Sequence, residues 1–220
     1  MQNPNAAPVA VLASGGLDSA ILLADLAVAR RVFPLYLRGG LSWEAEERLA
    51  LTRFIAAVGN PNIESVTELD VPIAPLLGEH WSLTGEDVPG TATPDRAVFI
   101  PGRNIVLIGM AAVWCSAHEV RSVAIGSLGA NPFPDASPEF FRDYGAVLSR
   151  GLGHPIEVMA PYRNVHKEDI LRRFQHLPLE LTVTCMQPHD GVHCGACNKC
   201  EERRQAFLRA GVHDRTRYRT

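Results

Sequence analysis

Apolar and polar positions alternate in blocks along the chain. Val9-Ala10-Val11-Leu12-Ala13 is an apolar run of strand length with β-branched content, and Ala20 to Ala27 places apolar residues at helical spacing. The blocks recur: Val32 to Leu37 reads as a second strand, Trp43 to Val58 as a helix stopped by Gly59-Asn60-Pro61, and Ile63 to Leu69 as a third strand. Residues 71–98 hold four prolines and three glycines and predict an irregular excursion with a short helix, serving as a lid, a binding segment or a plain connection. Helical spacing resumes at Arg103-Asn104 and runs to His118, with Trp114 and Cys115 as core residues. Ser122 to Ser127 and Ile156 to Ala160 read as strands. Between them a loop over 128–141 leads into a helix from Pro138 to Arg150, for which Ser137 is the expected N-cap. Asn164 is the expected N-cap of a helix reaching His176, and a final helix ends at Ala210 before Gly211. Strands alternating with helices predict an α/β fold whose parallel sheet is covered on both faces.

The turn joining the first strand to the first helix is Ser14-Gly15-Gly16-Leu17-Asp18-Ser19. The first N–H groups of a helix lack partners and carry the positive end of the dipole. Glycines let the backbone approach a ligand closely, so the turn is suited to phosphate or pyrophosphate. It has no lysine, unlike a Walker A loop, and it is not G-x-G-x-x-G. The competing reading is an ordinary glycine-containing turn.

Composition narrows the choices. The chain has 220 residues, 46% of them hydrophobic and 20% charged, as expected of one sizeable globular unit. Its formal charge of −3 gives no reason to expect non-specific nucleic-acid binding. No apolar run reaches the roughly 20 residues of a membrane span, and Met1 to Asn5 lacks the features of a leader, so the expected compartment is the cytoplasm. There, clustered cysteines read as metal ligands or catalytic groups. Cys194, Cys197 and Cys200 stand at intervals of three, with Cys185 upstream, a pattern for a tetrahedral structural Zn²⁺ site. An iron–sulfur cluster, a site with His189 or His193 replacing one cysteine, and unligated thiols are the alternatives.

Nineteen of the 21 basic residues are arginine, and the lysines are Lys167 and Lys199. Lys167 falls near a helix start, against the dipole, where it serves a phosphate or is a solvated lysine. Arg103, after the Pro101-Gly102 turn, suits a phosphate or carboxylate or is a surface arginine. Glu139 is a site carboxylate or a first-turn acid. The tail, with Arg215, Arg217 and Arg219, reads as a solvated or subunit-contacting end.

Ser14 to Ser19 resembles the S-G-G-x-D-S signature of the PP-loop ATP pyrophosphatases. With Pro101-Gly102-Arg103-Asn104, Pro134-Asp135, Pro138-Glu139-Phe140, Lys167 to Ile170, Thr184-Cys185 and Cys194 to Cys200, nearly the whole chain resembles the 7-cyano-7-deazaguanine synthase family. The resemblance implies a Rossmann-like ATP-binding domain over 1–180 and a zinc-binding segment over 181–220. It implies ATP-dependent, AMP-forming conversion of 7-carboxy-7-deazaguanine and ammonia to a nitrile, by way of an acyl-adenylate and an amide. By the same resemblance Ser14, Gly15, Gly16, Leu17, Asp18 and Ser19 hold pyrophosphate, with Asp18 near Mg²⁺. Arg103 and Lys167 contact phosphates or substrate, Asp135 and Glu139 contact substrate, and the four cysteines hold structural zinc. A homodimer is implied as well.

One loop departs from the family pattern N-x-x-D-x-S-G-Y-P-D-C-R-P-E-F: here the upstream aspartate is absent, Phe133 replaces Tyr, and Ala136-Ser137 replaces Cys-Arg. Loss of that arginine leaves open a relative that activates another carboxylate, stops at the amide or uses another amine. A sulfurtransferase or other enzyme acting on tRNA would need a catalytic cysteine outside the metal site or an RNA-binding basic face, and only Cys115, in a helix interior, is spare. A non-catalytic nucleotide-binding module is the third reading.

Overall fold

In the computed structural model, residues 6–129 and 131–219 are described. Met1 to Asn5, Ala130 of the loop over 128–141 and Thr220 of the tail lie outside the described residues. Five strands, β1 (Val9–Leu12), β2 (Val32–Arg38), β3 (Thr67–Asp70), β4 (Ser122–Ala124) and β5 (Glu157–Met159), form one sheet in the order β3-β2-β1-β4-β5. All four pairings are parallel. The chain leaves β1 in one direction to β2 and returns to its other side with β4. The carboxyl end of β1 is therefore the switch point where open α/β sheets bind ligands.

β1 shows why its residues are apolar throughout. Val9, Val11 and Ala13 enter a core with helices α1 (Leu17–Ala27), α7 (Lys167–Phe174) and α8 (Asn198–Ala210). Ala10 and Leu12 point the other way, into a core with α5 (Arg103–Ala117) and α6 (Pro138–Leu152). A strand buried on both faces has no polar position to spare. Helix α2 (Glu44–Val58) joins the first face through Leu51 and packs Phe54 on Ala20 and Ala24 of α1.

Several boundaries differ from the sequence expectation. The third strand begins at Thr67: Ile63 only bridges Val32, and Thr67 to Asp70 then run beside Leu35 to Arg38. Asn164 does not cap α7. The N-cap is His166, because tight turns over Ala160 to Val165 occupy that backbone, so Lys167 is the first helical residue. The excursion forms short helices α3 (Ala74–Leu77) and α4 (Trp81–Thr84) and a 3₁₀ turn over Asp95–Val98. It is fastened to the cysteine segment, where Asn198 donates from its backbone to Pro89 (2.8 Å) and from Nδ2 to Thr93 (2.8 Å). The tail is half as expected. Arg215, Arg217 and Arg219 are exposed, but Thr216 is buried and His193 exchanges backbone hydrogen bonds with Arg217 and Arg219. Among the described residues no helix is long and apolar enough to cross a membrane.

Ser137 caps α6 as expected, its Oγ accepting from the Phe140 N–H at 3.1 Å. Ser137→Ala is expected to cost about 1 kcal/mol. In a chain of this size that is a fall of roughly 2–4 °C in Tm, measurable by thermal denaturation.

Candidate active site and metal centre

The Gly-rich turn closes on itself before α1. Ser14 N–H donates to Ser19 Oγ (3.2 Å), Gly16 N–H to Ser14 Oγ (3.3 Å), and Ser19 Oγ–H to the Gly16 carbonyl (3.1 Å). Gly16 is the N-cap and offers no side chain to the first N–H groups of α1, which leaves them directed at the cleft. Gly15 has φ +73°, and a Cβ there would lie 2.3 Å from the Glu47 carbonyl oxygen. The turn is thus wedged against α2 on one side. On the other, a Cβ on Gly126 would lie 3.0–3.1 Å from the Asp18–Ser19 backbone, so the end of β4 also abuts it.

A cleft of about 260 Å³ opens at the carboxyl ends of β1, β2 and β4. Ser14, Gly16, Asp18 and Ser19 line one wall, and Arg103, Asn104, Ser127 and Asn131 another. Leu35, Leu37, Val71, Ile73 and Leu107 make an apolar end to the cleft. A smaller cavity of about 170 Å³ shares Ser14, Gly16, Asp18, Glu47, Arg103 and Thr184 with the first and adds Lys167, Lys199, Glu202 and Arg203. Of the residues expected at the site, Leu17 borders the larger cavity with its side chain buried in the core, and Gly15 lines neither cavity. Asp135 and Glu139 line neither cavity. Asp135 instead accepts from the Asn104 backbone (3.1 Å) and its Nδ2 (3.3 Å), fixing the start of α5, and Glu139 is exposed in the first turn of α6.

Both lysines of the chain meet at one carboxylate. Lys167 Nζ lies 3.2 Å from Asp18 and also bonds Glu202, which pairs with Lys199 on its other oxygen. Burial would lower Lys167, but Asp18 and Glu202 outweigh it and hold the ammonium above the ordinary lysine range. Burial likewise works against Glu202, yet the two lysines keep it well below the usual carboxylate range. Asp18 is raised by burial despite Lys167. Glu202 sits in the run Glu201-Glu202-Arg203-Arg204, which reads as a solvated helix, and nothing local marks it.

Glu47 is the second residue that sequence reasoning missed. It is 7% exposed, and its carboxyl accepts from Tyr36 Oη (2.9 Å) and Trp43 Nε1 (3.1 Å). Burial pushes it up to about 7, against the pull of Arg103 and these two donors. A signal was present: Trp43, Glu47, Ala50, Leu51 and Phe54 share one helical face, and a lone acid on an apolar face is worth inspecting.

The sulfurs of Cys185, Cys194, Cys197 and Cys200 all lie within 4.8 Å of one another, and none is in a disulfide. Tetrahedral thiolates at about 2.3 Å from a zinc ion stand roughly 3.8 Å apart, so the set is of the right size for a metal ion. Backbone N–H groups point at the sulfurs, from Gln187 (3.3 Å) and Cys194 (3.1 Å) to Cys185 and from Ala196 (3.4 Å) to Cys194, which favours thiolates. The histidine alternatives are not in the set. His189 is exposed beside Asp190, and His193 Nε2 accepts from the Thr184 N–H. Cys115 is fully buried and its thiol is pushed up to about 12, so it is a core residue.

A family model described as queuosine biosynthesis protein QueC matches residues 8–211. The chain belongs to the QueC family. Its relatives include proteins named 7-cyano-7-deazaguanine synthase from Methanothrix thermoacetophila (32% identical, covering 94% of this chain and 96% of the relative) and Methanopyrus kandleri (34%, covering 96% and 99%). A third, from Methanothermobacter thermautotrophicus, is 31% identical over 94% of this chain and 96% of its own length. A solved structure titled as a predicted subunit of tRNA methyltransferase from Methanocaldococcus jannaschii superposes with a TM-score of 0.48 at 14% identity, over 75% of this chain and 72% of that one.

Proposed function

We propose that this QueC-family chain converts 7-carboxy-7-deazaguanine and ammonia to 7-cyano-7-deazaguanine at the expense of ATP, releasing AMP and pyrophosphate. The observation that carries the proposal is the convergence of the uncapped N–H groups at the start of α1, Arg103 and an apolar slot on one cleft. A carboxylate has no usable leaving group until its oxygen attacks the α-phosphorus and expels pyrophosphate. The turn and Lys167 receive that pyrophosphate, and the slot between Leu37 and Ile73 takes the adenine. Asp18 is the carboxylate that would hold Mg²⁺, which would supply further charge neutralisation at the phosphates. Ammonia then displaces AMP to give the amide, and a second activation at the amide oxygen leads to the nitrile. The four cysteines hold zinc as a structural ion, since four protein ligands leave no open position. A homodimer accompanies this reading by family resemblance.

A second reading is favoured by one observation. Ala136 is fully buried and Ser137 is spent on capping α6, so the pair standing where the family has Cys-Arg offers nothing to the cleft. A ligase that stops at the amide, accepts another amine or activates another carboxylate fits that change. Mass spectrometry of products from purified protein with ATP, Mg²⁺, ammonium and 7-carboxy-7-deazaguanine decides between them. Nitrile with AMP is the expected result. Amide alone would establish the second reading, and ATP binding without AMP formation would rule out this carboxylate and leave another carboxylate or a non-catalytic nucleotide-binding module.

A further inference from the structure

Resting on that reading, we propose that Glu47 is the proton acceptor for the nitrogen nucleophile. Ammonia attacking the activated carbonyl forms a C–N bond, the C–O bond to phosphate breaks, and AMP leaves with the electron pair. The nitrogen is left cationic and must release a proton. It must release two more on the way from amide to nitrile, when the C–O bond to the second AMP breaks. A base at the cleft is therefore required by the chemistry itself.

Three observations single out Glu47. First, it lines both cavities, where the phosphate turn and Arg103 also meet. Its backbone carbonyl is the surface on which Gly15 rests, so its position is fixed relative to the Gly-rich turn. Second, it is buried with no ion-pair partner within 4 Å among the described residues, and is held by two neutral donors, Tyr36 and Trp43. A carboxyl needed only for packing gains nothing from so costly a placement. Third, the other carboxylates lining these cavities are paired with lysines, Asp18 with Lys167 and Glu202 with Lys167 and Lys199. The titratable and charged groups facing Glu47 are Tyr36 from β2, Glu44 on its own helix and Arg103 from α5. Asp18, Lys167, Lys199, Glu202 and Arg203 lie around the shared second cavity. A proton taken up by Glu47 leaves through that cavity to solvent.

The test separates the two half-reactions. In Glu47→Gln, pyrophosphate exchange into ATP in the presence of 7-carboxy-7-deazaguanine is expected to change by less than about threefold, because adenylation needs no base. Amide formation, followed at a constant concentration of free NH₃, is expected to fall on the order of 10²–10⁴-fold. In the wild type the amide-forming rate should rise with pH through about 7, where the carboxylate becomes free, and then level off. Tyr36→Phe removes a donor that stabilises the charged form, so the same limb should move to higher pH while the carboxyl remains. Exchange and amide formation falling together in Glu47→Gln, or an unmoved limb in Tyr36→Phe, would overturn the assignment. Absence of substrate-dependent exchange in the wild type would instead sink the carboxylate reading, and the role of Glu47 with it.

Discussion

Gly15→Ala is expected to abolish turnover and to weaken the fold, whereas Gly16→Ala, one residue later, is expected to do neither completely. The two glycines have different reasons to be there. At Gly15 an added Cβ would stand 2.3 Å from the Glu47 carbonyl oxygen and 3.0 Å from the Leu51 nitrogen, both backbone atoms of α2. Neither can rotate away, so the whole helix or the whole turn must shift. The left-handed φ of +73° adds roughly 1–3 kcal/mol of its own for a residue with a side chain. Gly16 has φ −72°, and its added Cβ would meet the Ser14 Oγ at 3.1 Å, a side-chain hydroxyl that can rotate away at the cost of its bonds to the Gly16 N–H and Ser19 Oγ. A loss of more than about 3 kcal/mol for Gly15→Ala corresponds to a fall of roughly 10 °C in Tm for a chain of this length. Displacement of the turn also removes the alignment of its N–H groups with the phosphates, worth at least about a hundredfold in turnover. Thermal denaturation and AMP release of the two variants side by side check this. A Gly15→Ala protein with wild-type Tm and activity would show that the turn is not wedged as described.

The parts legible in the sequence are those fixed by neighbours in the chain. β1 announces itself because both its faces are buried, α6 because Ser137 and Pro138 form a local start signal, and the cysteines because one loop brings three of them together. The phosphate turn is legible for the same reason. What escaped depends on distant partners. Lys167 could be suspected, but its clamp Glu202 lies 35 residues further on, on a helix that looks solvated. Asn164 satisfies the local rule for an N-cap, yet Arg163 must reach the carbonyls of Ala136 (2.9 Å), Leu128 (3.0 Å) and Gly129 (2.6 Å). The turn that lets it do so delays the helix to Lys167. The tail looked solvated because its arginines are, while buried Arg203 holds it from beneath by donating to Thr216 Oγ1 (2.8 Å) and Thr182 Oγ1 (2.9 Å).

Removing a metal held by the four cysteines is expected to disable the proposed phosphate site, not only the C-terminal segment. Cys200 and Glu202 lie together in the first turns of α8, and Glu202 anchors Lys167, which in turn contacts Asp18 of the phosphate turn. Further along α8, Ala206, Phe207 and Ala210 share a core with Val9 and Val11 of β1. Cys185 follows Thr184, which lines both cavities, so a second route leads from the metal to the cleft. Metal binding in small cysteine sites contributes on the order of 10 kcal/mol to folding, comparable to the whole stability of a domain. Chelation, or Cys194→Ser, should therefore lower Tm by more than about 10 °C and weaken ATP binding by at least about tenfold. Glu202→Gln separates the two effects. It leaves the cysteines and their metal content intact, while Lys167 loses one of its two anchors and settles on Asp18, and turnover falls about tenfold. Metal analysis, calorimetric ATP binding and AMP release on the same preparations read all three quantities. Unchanged ATP affinity in the metal-free protein would mean that the phosphate turn and Lys167 hold their places without α8, and that the clamp at Glu202 carries no mechanical load.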